Sequence, residues 1–455
     1  MRELKSFVMF LAILFGAVFL PEISWAATYY VAPNGNDSNP GTIARPFATI
    51  NKGASVLVVG DTLYIRGGTY NQTVYIGNSG TAGAYITIAG HPGETAIVDG
   101  MDTLPADPWG ELFSIYGNYV EVRDLTIQNS NWMGLGLRGQ YARAIRINSY
   151  KNMENGILVT GDYGLVESCN VWWNAKSNEY GKNSRGNWAS GLSAARHPHY
   201  ATLRNNKVWN NWGEGLSTYE AEGTLIEDNV VYDNVVYISD AVNVTFQRNL
   251  IYWTGNPAWG FGGISMQDEV YNPPSSEIKI LNNLVYGSRG NYYWWQGPQG
   301  GGMKNVLIAH NTFVNNSATD NNILISSGPH QNGRFENNVI EQDGSMPVAY
   351  VPSGSGLSFS NNLWSKAPPP NASGTGDVIG DPKLAKTGQT GAGLLAPEWF
   401  RILSNSPARD RSKVISEVTE DFFRTARGQY PDIGAHEYVA ADIIPPAAPR
   451  GLRIQ

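Results

Sequence analysis

Asparagine recurs along this chain at one place in a repeated pattern: a short apolar–polar strand, the asparagine, then a second short strand. The segments RINSYKN, VESCNVWWN, LRNNKVWNN, IEDNVVYDN, FQRNLIYWT, ILNNLVYGS, IAHNTFVNN, FENNVIEQ and FSNNLWSK carry it. The reference asparagines are Asn148, Asn170, Asn206, Asn229, Asn249, Asn283, Asn311, Asn338 and Asn362, at intervals of 22, 36, 23, 20, 34, 28, 27 and 24 residues. A floor of about 20–24 residues with occasional longer steps is what a solenoid with loop insertions produces. Each unit reads as two short strands meeting at a sharp corner. Asparagine tolerates left-handed backbone angles and its amide bonds nearby backbone groups. Nine in register therefore predict a stacked amide ladder that satisfies the buried polar groups of the corner. The flanking Ile, Val, Leu and Phe then share one interior. The predicted fold is all-β, a single-stranded parallel β-helix.

The ends and the composition place this solenoid. Residues 1–27 are predicted to be a cleavable secretory signal. Arg2 and Lys5 give a basic start, Phe7 to Leu20 is an apolar run of 14 residues, and Ser24-Trp25-Ala26 sets small residues before the cut. That run is short for a membrane span, and no later segment is apolar enough for one, so the expected compartment is the periplasm or the exterior. In PFATINKGASVLVV, Phe47, Ile50, Ala54 and Leu57 fall at helical spacing. They predict a short helix capping the open N-terminal end of the core. The expected organisation is cap and first coil over 28–72, coils over 73–365, further coils and a closing segment over 366–440, and a Pro-rich tail over 441–455. The one cysteine, Cys169, rules out an intrachain disulfide framework and reads as structural. A net charge of −7 argues against nucleic acid as a partner. With 14 Trp and 24 Tyr the chain is rich in rings that suit the apolar faces of sugars. Long loops are expected at Ala175–Ser190, Thr254–Gly263 and Gly287–Met303. The last reads GSRGNYYWWQGPQGGGM, and Tyr293, Trp294 and Trp295 in it are candidate sugar contacts.

Tyr30, Val31, Pro33, Gly35, Asp37, Pro40, Gly41 and Thr42 form a pattern that resembles the N-terminal segment of bacterial secreted right-handed β-helix proteins. DIGAHEY (432–438) resembles the closing motif of the same proteins, and IIPPAAPRGLRIQ resembles a linker into a fibronectin-like repeat. The resemblance implies a right-handed solenoid whose partner is a polysaccharide; the protein is expected to be a monomer.

Two neighbouring coils carry the chemistry. Aligning SGLSAARHPHYATLRNN with GEGLSTYEAEGTLIEDN sets His197 beside Glu220 and His199 beside Glu222, with Arg196 and Tyr219 adjacent. Asp162, Asp240 and the run Gln267-Asp268-Glu269 fall near the same column. The candidate catalytic residues are His199, Tyr219, Arg196, His197 and Glu220, and the candidate substrate contacts are Glu222, Asp240, Trp212, Tyr293, Trp294 and Trp295. His and Tyr tuned by neighbouring acids can abstract and return protons, an arginine can neutralise a substrate carboxylate, and the acids offer oxygen ligands that Ca²⁺ would accept. RHPHY with GLSTYE one coil on resembles the D-P-H-(D/E) segment of alginate C5-epimerases, with Pro198 and His199 matching, His197 and Tyr200 replacing the flanking acids, and Ala194 where a tyrosine is expected. The resemblance implies an acidic polysaccharide cleaved or epimerised through removal of the C5 proton. A glycoside hydrolase using Glu220, Glu222 or Asp240, and a non-catalytic glycan-binding protein, are the alternatives.

Overall fold

The computed structural model describes residues 26–440 apart from 108–109, 187, 257–261, 271–274, 297–300 and 316–319. Most of the expected signal and all of the expected tail lie outside these residues. The chain winds as a parallel β-helix of three sheets. Sheet A has 13 strands from Thr28–Val31 to Leu357–Ser360, sheet B has 13 from Gly68–Tyr70 to Val378–Ile379, and sheet C has 11 from Val74–Ile76 to Ala349–Tyr350. One coil shows the plan: Thr202–Arg204 in sheet A, Lys207–Trp209 in sheet B and Glu214–Tyr219 in sheet C. The three-residue strands of sheets A and B in this coil bury one central side chain each. Leu203, Ile226, Phe246, Ile280, Ile308 and Phe335 stack as one such file in the core. The predicted cap is present as a helix over Ile50–Ser55, started by the Thr49 side chain, with Phe47, Ile50, Ala54 and Leu57 all buried.

The asparagine ladder is real and shorter than the spacing implied. From Asn206 through Asn229, Asn249, Asn283, Asn311 and Asn338 to Asn362, each backbone N–H donates to the next rung's Oδ1 at 2.9–3.0 Å. Each side-chain amide in this run also reaches back to a carbonyl of the preceding coil, as Asn249 does to Ile226. Asn148 and Asn170 are not rungs. They sit one position further on, where Asn170 pairs with Lys207. Cys169 fills the rung, its Sγ accepting from Ile147 N at 3.3 Å while its own N–H donates to Asn206. The left-handed residue is also not the ladder asparagine but the one before it, for example Asn205, Asp228, Arg248 and Asn282 with φ of 52–57°. A second ladder, Asn152–Asn174–Asn211–Asn234, closes the other end of the sheet B strands.

Two expected regions take a different form. Tyr292–Gln296 is a sheet C strand rather than loop, paired with Ile264–Asp268 and Ile323–Ile325. Residues 380–440 add no coils. After the last short strand, Val378–Ile379, the chain runs back along the flank of the helix as a strap. Leu384, Leu395, Trp399, Phe400 and Ile402 cover the outward faces of Tyr232, Leu250, Tyr252, Leu284 and Val314 on sheet B. The DIGAHEY segment fastens this strap to the flank instead of sealing the end: Gly434 N donates to Asn337 O, Ala435 N to Thr312 Oγ1, and buried His436 accepts from Ile402 N.

Candidate active site

Side chains alternate along a strand, so sheet C presents to solvent every residue its core rejects. Register places Leu158, Ser193, Ser217, Tyr237, Ser265 and Tyr293 in one outward column, and Ala195, Tyr219, Ser239, Gln267 and Trp295 in the next. A cleft of about 320 Å³ opens over the middle of this face. Its walls include Glu154, Trp188, Ser190, Ser193, Arg196, Glu214, Ser217, Tyr219, Glu220, Tyr237 and Glu269. Trp188 arrives on the long loop after Ala175, as the sequence anticipates for loops that build sites.

Two groups of polar contacts organise the floor. Ser193, Ser217 and Ser190 form a hydroxyl chain at 2.8 Å per link that ends on Glu214 Oε2 at 3.2 Å. Across from it the Tyr237 hydroxyl donates to Glu269 Oε1 at 2.5 Å, and the Gln267 amide donates to the same oxygen. Glu269 is itself aimed by Asp240, whose carboxylate accepts from Glu269 N, Val270 N and Ser239 Oγ at 2.6–3.0 Å. Desolvation pushes the Glu214 carboxyl up to about 7, with the Glu269 charge adding to it and the Ser190 and Trp188 hydrogen bonds opposing it. Burial, then the hydrogen bond to Glu269, holds the Tyr237 phenol well above its ordinary value. Burial and the Glu220, Glu269 and Asp240 charges push Tyr219 up to about 12. Glu154, deeper and 1% exposed, is pushed up to about 6 by burial. The cleft thus holds a carboxyl that keeps its proton near neutrality facing a tyrosine–carboxylate pair, an arrangement suited to moving one proton onto a bound molecule and another off it.

The sequence-derived candidates divide. Arg196, Tyr219 and Glu220 line the cleft. His197 and His199 lie past its rim with side chains 68% and 48% exposed, His197 Nε2 3.9 Å from Glu220 and His199 Nδ1 2.9 Å from Asp162. The expected pairing of His199 with Glu222 exists as a backbone bridge with the side chains 3.8 Å apart. Asp240 is fully buried, and its carboxylate clamps the turn that carries Glu269 instead of opening into the cleft. Trp212 packs on Tyr180 at 4.6 Å, away from the cleft walls. Trp294 is a core residue set edge-on to His330, because Tyr292–Gln296 is a strand and strands alternate. That leaves Tyr293 in the cleft column and Trp295 beside it, 54% exposed. Glu269 belongs to the run that the sequence sets near the column, whereas Glu214, Tyr237 and the serines are cleft residues that the sequence candidates do not include. The signal was the repeat of S-G-L-S by E-G-L-S one coil apart. Among the described residues no three His, Cys, Asp or Glu groups converge with metal-binding spacing, and no helix is long and apolar enough to cross a membrane.

The family described as "Pel9A-like, right handed beta helix region" matches residues 29–332. A pectate lyase, PEL9 of Emericella nidulans, is 31% identical over 217 residues, which are 43% of this chain and 50% of that one, so the match spans half the length of this relative. Pectate lyase L of Dickeya dadantii is 23% identical over 439 residues, 91% of each chain. The crystal structure of pectate lyase Pel9A superposes with a TM-score of 0.53 at 20% identity, covering 91% of this chain and 97% of that one.

Proposed function

The chain belongs to the Pel9A-like right-handed β-helix family, and from that premise we propose that it is an exported polysaccharide lyase, cleaving an acidic polysaccharide by β-elimination in the sheet C cleft. The observation that carries the proposal is the facing pair: Glu214, raised to about 7, opposite Tyr237 hydrogen-bonded to Glu269. β-Elimination needs a base for the uronate C5 proton, an acid for the leaving oxygen on C4, and relief of the substrate's own carboxylate charge. Tyr237 takes the C5 proton as its own phenolic proton passes to Glu269, so no free phenolate accumulates. The C5–H electron pair becomes the C4–C5 double bond, the C4–O bond breaks, and Glu214 gives its proton to the departing oxygen. Arg196, the guanidinium among the cleft walls, meets a substrate carboxylate. Solvent then returns a proton to Glu214 and removes one from Glu269.

A proton NMR time course on a panel of polyuronates and neutral glycans tests this. Unsaturated uronate ends are expected from the parent protein and their loss, by about 10²–10⁴-fold, from Glu214→Gln and from Tyr237→Phe. The same acid and carboxylate also suit glycoside hydrolysis, which needs one protonated and one ionised carboxyl group. New reducing ends without unsaturation select that reading, inverted C5 centres select an epimerase, and binding without any product selects a glycan-binding protein.

A further inference from the structure

We propose a second glycan subsite on the same face of sheet C, built by Tyr75, Tyr116 and Arg138, which takes a pyranose residue of the chain whose cleavage occurs in the cleft; the acidic nature of that chain rests on the lyase reading. Register puts the subsite in line with the cleft. Leu137 pairs with Ile115 and Val159, and Val159 with Ala194, so Tyr116, Arg138, Ala195 and Tyr219 share one outward column. Tyr116 and Tyr219 are four strand steps apart, about 19 Å at the spacing of neighbouring strands.

Arg138 is held with unusual care for a surface residue. Glu111, the first residue of its strand and 2% exposed, accepts from Arg138 Nε at 2.8 Å and from Nη2, and Ser114 Oγ donates to its other oxygen at 2.8 Å. Residue 136 is glycine because a Cβ there would lie 2.6 Å from the Glu111 carboxyl carbon. Desolvating such a pair costs about what the attraction returns, so the arrangement adds little stability. What it does supply is a guanidinium fixed in place, 5.5 Å from the Tyr116 ring centroid. Tyr75 stands beside Tyr116 with ring centroids 5.1 Å apart, and the two are 57% and 48% exposed. Single exposed aromatics need no explanation. Two of them locked together next to an oriented arginine, in line with a cleft, form a surface with an apolar floor for a sugar ring and a charged edge for its hydroxyl or carboxylate groups.

Affinity electrophoresis through gels of polygalacturonate, alginate or a neutral glucan tests the subsite without requiring turnover. The parent protein is expected to be retarded by an acidic glycan and Tyr75→Ala/Tyr116→Ala to bind about 3- to 10-fold more weakly. Tyr75→Phe/Tyr116→Phe keeps both ring faces and is expected to bind like the parent. In turnover assays the alanine pair raises KM for polymer by the same factor at unchanged kcat, and leaves short oligomers that fill only the cleft unaffected. Equal retardation of parent and alanine pair overturns the subsite, and so does a parent that no gel retards. Failure of the lyase reading looks different: the parent is retarded, the alanine pair less so, and no product forms.

Discussion

Glu214 and Glu269 are the same residue type on the same sheet face, and their surroundings give them opposite tasks. Glu214 is walled by serines and Trp188, and desolvation keeps its proton on to about pH 7. Glu269 receives the Tyr237 hydroxyl and the Gln267 amide. If Glu214 is the acid, kcat is expected to fall about tenfold per pH unit above 7, and this limb should vanish in the residual activity of Glu214→Gln. Glu154 makes a separate statement about stability. Its folded value, raised by burial to about 6 from 4.5, means that its favourable contribution is full below pH 4.5 and is lost as pH rises through 6. Glu154→Gln is therefore expected to stabilise the protein by about 2 kcal/mol at pH 8 and not at pH 4, as read by thermal unfolding at the two pH values. The sequence shows why these residues were hard to pick out. Glu214 and Tyr237 stand in strands of small and apolar residues: alternation says only that Tyr237 faces outward, and it gives Glu214 the parity of buried Leu216 and Thr218, which hides it from a search for cleft residues. The histidines stood out because there are six in the chain, and rarity is not burial: both candidates are largely in water.

At the scale of the coil, the ladder is the element that the sequence made legible. A buried amide in the ladder is satisfied on every side, so the same residue is demanded at every turn and the repeat survives insertions. Its register was less legible. Asn148 and Asn170 follow Ile147 and Cys169, whereas every true rung follows a polar residue in the left-handed region, such as Asn205, Asp228 or Arg248, so the neighbour and not the asparagine carries the register. Asn283→Ala would strand the buried Asn249 N–H that Asn283 Oδ1 now accepts and remove one of the Asn249 amide's acceptors, and a loss of about 3 kcal/mol is expected from urea unfolding. Cys169→Asn should go the other way. The Cys169 thiol already reaches Ala144 O at 3.5 Å and Ile147 N at 3.3 Å, the carbonyl and amide that a rung asparagine would engage. The variant extends the ladder by one residue, and a Tm equal to or above that of the parent is the expected result. The strap was illegible for a related reason. Leu384, Leu395, Trp399 and Phe400 pack densely, but at no fixed period, because irregular chain conforms to the outer face of a helix that already exists.

The whole molecule is a stack of coils bound to their neighbours and a strap bound to many of them. Arg424 reaches Asp228 at 2.7 Å, Arg427 reaches Asn282 at 2.9 Å, Gly393 N donates to the Tyr252 hydroxyl at 2.8 Å, and Lys413 and Asn337 exchange two hydrogen bonds. Arg427 is buried and paired with Glu437 at 3.0 Å. Removing it in Arg427→Ala leaves that carboxylate without its charge partner, so a loss of about 3–5 kcal/mol is expected, seen as early hydrogen exchange in the coils from Asp228 to Asn337. A plain solenoid responds to load like a zip, opening one repeat at a time from an end. The strap alters that mechanics. Traction on the C-terminus is borne along the flank by five coils at once, in shear, and these polar ties run from Asp228 onward. A single-molecule pull should therefore show a staircase from the N-terminal half and one large rupture from the strapped half.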